Sequence, residues 1–180
     1  MINEIVNRRR FLASAAAGVP LLFAFPRRVA ALTETRELSF HHLHTGETLD
    51  VEYWRGGGYD PTSLKAVNHV LRDWRTNQVH DIDPALLDLL KDLAEQTGTG
   101  HPYHVICGYR SPATNEMLRQ KSSAVASRSL HMDGRAIDIR LPDVPLKTLR
   151  DAAIGLRRGG VGYYPGSNFV HVDTGRFRTW

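Results

Sequence analysis

Two short runs limit what this chain can fold into: Ser129 to Asp138, and His171 to Asp173. Residues 136–140 alternate as a strand does, with Ile137 and Ile139 on one face and Ala136, Asp138 and Arg140 on the other. Asp138 therefore points away from the apolar face. His131 precedes it by seven residues, and Gly134 between them permits the tight turn that brings the imidazole back towards the carboxylate. Residues 169–173 read as a second strand, with His171 and Asp173 on a shared face. Two imidazoles and a carboxylate are the donors of an open catalytic zinc site, which keeps its fourth position for water. His131, Asp138 and His171 are thus the candidate metal ligands, and the fold must bring their strands together.

The length of 180 residues suits one domain. The formal charge of +4 gives no argument for nucleic acid, because the excess sits in the first 31 residues, which hold five arginines and one acid. The remainder balances at 18 basic and 18 acidic residues. The single cysteine, Cys107, excludes an intramolecular disulfide and reads as a small core residue at the end of an apolar run. Nothing in its sequence surroundings lowers its thiol pKa.

Residues 1–31 read as an export signal, and residues 32–180 as the mature domain. Arg8, Arg9, Phe11 and Leu12 resemble a twin-arginine motif, and Val29, Ala30 and Ala31 fit a small-residue cleavage site. The apolar stretch between them, 14 residues from Leu12 to Phe25, is too short to span a bilayer. No stable membrane insertion is expected once the signal is cut.

Residues 38–43 and 48–54 read as a hairpin about Thr45 and Gly46. His41, His42 and His44 alternate along its first strand and read as surface or sheet residues. Asp60-Pro61 and Asp83-Pro84 each open a helix, the first running to about Arg75. Residues 103–107 form an expected central strand. Arg110 follows in a strand-to-helix loop, where functional groups are displayed. A last helix spans Leu146 to Leu156, and residues 161–164 pair with 169–173 as a hairpin. The expected fold class is α+β: one small domain, an antiparallel sheet bearing the zinc site, and helices on one side.

Four ordered runs resemble the zinc peptidases of the lysostaphin, D-Ala-D-Ala metallopeptidase and sonic hedgehog group, and within it the YcbK-like murein endopeptidases. They are Gly108 to Ser111, Ser129 to Asp138, Gly160 to Tyr164 and Phe169 to Gly175. The resemblance covers roughly residues 36–180. It implies Zn²⁺ as cofactor, peptidoglycan peptides as substrate, a periplasmic location after export, and Arg110 as a cleft residue that contacts substrate carbonyls or a carboxylate. An Arg110 salt bridge of purely structural value is the equal alternative. The resemblance also implies a general base three residues before the last ligand, where this chain has Asn168, which cannot act as a base. Asp173 is the candidate catalytic substitute; an orienting role towards His171 or Arg110 is its equal alternative. Ser129 is expected to hold the His131 loop by hydrogen bonds. The implied activity is endopeptidase cleavage of crosslinks. D-Ala-D-Ala carboxypeptidase and a zinc-carrying binding module are the alternatives. No motif marks a protein partner.

Overall fold

The computed structural model describes residues 34–122 and 125–180. The expected signal segment lies outside the described residues.

Eight strands form one sheet: β1 (Arg36–His42), β2 (Thr48–Arg55), β3 (Gly58–Tyr59), β4 (Tyr103–Cys107), β5 (Ala136–Arg140), β6 (Gly160–Tyr164), β7 (Phe169–Asp173) and β8 (Arg178–Thr179). Their spatial order is β3-β2-β1-β4-β5-β7-β6-β8. Five of the seven joints are antiparallel, where an antiparallel sheet was expected throughout. Two joints are parallel, β1 to β4 and β6 to β8, so the sheet is mixed. The first parallel joint has a physical cause. The chain between β1 and β4 runs through β2, β3 and two helices, long enough for a crossover that returns in the same direction.

Four helices are described: α1 (Pro61–Val70), α2 (Pro84–Thr97), α3 (Pro112–Lys121) and α4 (Leu146–Leu156). The first three start with proline after a capping side chain: Asp60, Asp83 and Ser111 each accept an amide of the first turn. Gly98, in the left-handed region, ends α2. The α1 helix stops at Val70 rather than near Arg75. Asp73 is the reason. Its carboxylate takes the backbone amides of Arg75 and, across the fold, of Ser111, and residues 73 and 78 pair as an isolated bridge. A short acidic side chain here offers the backbone an alternative to the helix.

The period of two along each strand divides the sheet into two functions. Leu38, Phe40, Val51, Tyr53, Val105, Ile137, Ile139, Val161, Val170 and Val172 share one core cluster with Leu71, Leu86, Leu90, Leu93 and Leu149 from the helical side. The α3 helix contributes no residue to that cluster. His42 is the sheet alternative of the two: it belongs to the buried face, pairs with Val105 and is fully enclosed. Burial pushes its pKa down to about 4 and keeps it neutral. The opposite face of β5 and β7 carries Asp138, His171 and Asp173. Among the described residues no helix is long and apolar enough to cross a membrane.

Candidate metal centre

Asp138 and His171 are direct cross-strand partners on β5 and β7, so their side chains rise from the same face. His131 joins them from a 3-10 turn, Leu130–Asp133, that precedes β5. Gly134 ends this turn with φ 65°. Any side chain there would run into the Asp81 carbonyl, 2.1 Å from an ideal Cβ. Glycine lets the turn fold back against residues 80–83, where the Asp83 amide donates to the Gly134 carbonyl. The Ser129 side chain makes no cap bond; its carbonyl accepts from the Met132 amide, so backbone does the holding expected of its hydroxyl.

Three atoms then converge. His131 Nε2 lies 3.2 Å from Asp138 Oδ1, His171 Nδ1 lies 2.9 Å from the same oxygen, and the two nitrogens are 3.1 Å apart. A tetrahedral ion about 2.0–2.1 Å from three N or O donors would hold them about 3.3–3.4 Å apart. The triangle is close to that size. The far side of each ring fixes the tautomer. A carbonyl can only accept, so His131 Nδ1–H donates to Gly108 O at 2.7 Å. The ionised Asp173 likewise accepts from His171 Nε2–H at 3.0 Å. Both remaining lone pairs therefore face the triangle, the arrangement that orients histidine towards a metal. The donor set fits zinc. All three side chains are buried, at 2% exposure for His131, 5% for Asp138 and 8% for His171.

The electrostatics follow from this crowding. Burial opposes charge on Asp138, but the His131 and His171 imidazoles outweigh it and hold the carboxyl far below its usual range. Burial likewise opposes charge on His131, and Asp138 and Cys107 overcome it and raise its pKa; a cation at the triangle would take the place of the proton this favours on Nε2.

Asp173 is fully buried, and its oxygens are already occupied. Oδ2 accepts from His171 and from Arg178 Nη2 at 2.7 Å; Oδ1 accepts from the Gly160 and Gly175 amides and from Arg178 Nη1. Burial raises its pKa and these bonds more than reverse the effect, so it stays ionised. No lone pair is left for a water proton. The geometry corrects the expectation of a catalytic base and fits the orienting alternative. Arg178, which sequence reasoning missed, completes that support. No local signal marks it, because its strand, β8, has two residues, too few to show alternation.

Arg110 lies at the edge of the triangle. Its Nη2 is 3.6 Å from Asp138 Oδ2, its Nη1 is 3.4 Å from Asn115 Oδ1, and its buried Nε has no partner. These long contacts leave the guanidinium most of its donor capacity. Its amide donates to the His131 carbonyl, which locks the two loops together.

Cys107 is buried, yet it is outside the core cluster. A bulge between Val105 and Cys107 shifts the β4 register so that Cys107 opposes Asp138. One donor atom each of Cys107, His131 and Asp138 lies within 4.8 Å of the others. Burial raises the thiol pKa, but His131 overrides it and the net direction is down. Its burial is as expected, whereas the expectation that nothing lowers its thiol pKa is corrected. Asn168 is exposed on the turn between β6 and β7, in the left-handed region at φ 54°.

A Haemophilus influenzae protein named probable peptidoglycan L,D-endopeptidase MepK is 44% identical over 180 residues, covering 97% of this chain and 95% of its own. The Escherichia coli K12 and Shigella flexneri proteins named peptidoglycan L,D-endopeptidase MepK are each 43% identical over 176 residues, covering 97% of both chains. A family profile described as peptidoglycan L,D-endopeptidase MepK matches residues 30–180. The chain belongs to that peptidase family.

Proposed function

We propose that this protein is a zinc-dependent endopeptidase that cuts peptide crosslinks of peptidoglycan. The observation that carries the reading is the triangle of His131 Nε2, Asp138 Oδ1 and His171 Nδ1, with both ring tautomers set from outside. The names of its relatives supply the substrate class. A zinc ion held by these three residues would polarise the scissile carbonyl and acidify the attacking water. Arg110, with donors to spare beside Asp138, binds the substrate amide or a neighbouring carboxylate and steadies negative charge on the carbonyl oxygen. Asp173 and Arg178 hold His171 in place. Residues 1–31 direct export by the twin-arginine route, and the domain works in the periplasm, where peptidoglycan lies.

A second reading is a zinc-carrying module that binds peptidoglycan without cutting it. Asn168, and an Asp173 with every lone pair engaged, favour that reading. One experiment tests both. Residues 32–180 are purified, their zinc is measured, and they are incubated with crosslinked muropeptide dimers beside a His171→Ala control. Stoichiometric zinc and monomer products absent from the control support the endopeptidase. Release of terminal D-Ala without loss of dimer indicates carboxypeptidase. Zinc without turnover indicates the binding module, and a protein that takes up no zinc overturns the reading.

A further inference from the structure

The sheet face that bears the triangle continues past it. Arg140 lies two residues beyond Asp138 on β5, about 7 Å along the strand and on the same face. It pairs with His104 on β4, and His104 pairs with His41 on β1. Cross-strand partners share a face. Arg140, His104 and His41 are therefore one row across three strands, beside the row of Cys107, Asp138 and His171.

The row is basic and unpaired. All three side chains are partly exposed. The two imidazoles meet edge to face with centroids 5.2 Å apart. His104 Nδ1 is buried and has no hydrogen-bond partner. Several other arginines find acids: Arg36 with Asp88, Arg72 with Glu47, Arg110 with Asp138, Arg178 with Asp173. Among the described residues the Arg140 side chain makes no hydrogen bond or ion pair. The groups that act on His104 after its burial are His41, Arg140 and His101, all of them bases. An acid on the same sheet face, Asp50 on β2, pairs with Ser39 and stands a further strand away from His104. A half-buried guanidinium with imidazole neighbours and no acid matches one chemistry well: a planar carboxylate.

We propose that Arg140 and His104, with His41 behind them, form a subsite for a free carboxylate of the substrate peptide. The inference rests on the peptidoglycan-peptide reading. Stem peptides contain glutamic and diamino-dicarboxylic acids, which keep a free carboxylate close to the amide of a crosslink. The 7 Å step from Asp138 to Arg140 equals about two residues of extended peptide. A peptide whose amide lies at the triangle can thus bring a nearby carboxylate to Arg140. The subsite makes the enzyme selective for stem peptides whose diaminopimelate carboxylate is free rather than amidated.

The test uses two uncrosslinked tetrapeptide muropeptides, one with the diaminopimelate carboxylate free and one with it amidated. Each is titrated into the zinc-loaded protein by calorimetry. The expected result is about tenfold tighter binding of the free acid, as for loss of one charge-assisted contact. Arg140→Gln should remove that preference and leave the amidated ligand unaffected. Equal binding of both ligands by the unaltered protein overturns the subsite, and so does an Arg140→Gln variant that weakens both equally or neither. Failure of the parent reading shows separately, as absence of dimer cleavage, because these monomers report binding without any crosslink to cut.

Discussion

Asp173 illustrates how one side chain's neighbours decide its role. It lies on the face of His171, at a distance that suits a base, yet five donors converge on its two oxygens. A carboxylate so engaged orients an imidazole. Asp173→Asn keeps the size of the group, weakens the acceptor for His171 Nε2–H and breaks the ion pair with Arg178. The expected outcome is a loss of zinc affinity of about 10–100-fold, measured by competition with a chelator. Activity should return in excess zinc. Were Asp173 the base, zinc would stay bound and kcat would remain low at any zinc concentration.

At the scale of elements, the loop between β4 and α3 is what places Arg110 and the Gly108 carbonyl. Two contacts with the turn after α1 hold it. The Tyr109 amide donates to the Leu71 carbonyl at 2.7 Å, and the Ser111 amide donates to Asp73 at 2.9 Å. Gly108 passes so close to Leu71 that a Cβ would sit 2.4 Å from its carbonyl oxygen. Gly108→Ala should therefore lower stability by about 1–3 kcal/mol and shift the acceptor of His131 Nδ1–H, seen as a lower Tm together with weaker zinc retention. Asp73 gives a pH signature. Burial raises its pKa, but bonds from Ser111, Thr114 and Arg75 prevail and bring it down to about 2. The folded value lies below the unfolded value of about 3.9. Its stabilisation, about 1–2 kcal/mol after screening, is therefore complete above about pH 4 and disappears as pH falls towards 2. Thermal melts of the protein and of Asp73→Asn should differ at neutral pH and converge in acid.

The same elements show what could be read in advance. Proline after an acid marked α1 and α2, Ser111-Pro112 marked α3, and alternation on β5 and β7 put Asp138 and His171 on a face opposite the core. These signals are local. Cys107 was illegible because a bulge breaks the period of two at that residue, and a bulge depends on the partner strand. The end of α1 was illegible because the Asp73 carboxylate reaches a loop 38 residues away. Arg178 belongs to a strand of two residues, too short to show alternation.

For the whole molecule, the ligands come from neighbouring parts of one sheet, and this limits what metal can do to the fold. Asp138 and His171 are held by the β5–β7 ladder, and His131 by a turn fastened to residues 83 and 110. The core lies on the other face and shares no residue with the triangle. Chelation should therefore leave the far-ultraviolet circular dichroism of residues 32–180 unchanged, unlike small zinc domains that unfold without their ion. Zinc still binds only the folded chain. At a free concentration 100 times its Kd it adds about 2.7 kcal/mol, or about 5–10 °C in Tm for a domain of this size. The expected pair of results is a folded apo-protein and a clear upward Tm shift on adding zinc, absent in His171→Ala. Loss of secondary structure on chelation would place the metal among the forces that build the sheet, against the separation of core face and site face seen in every central strand.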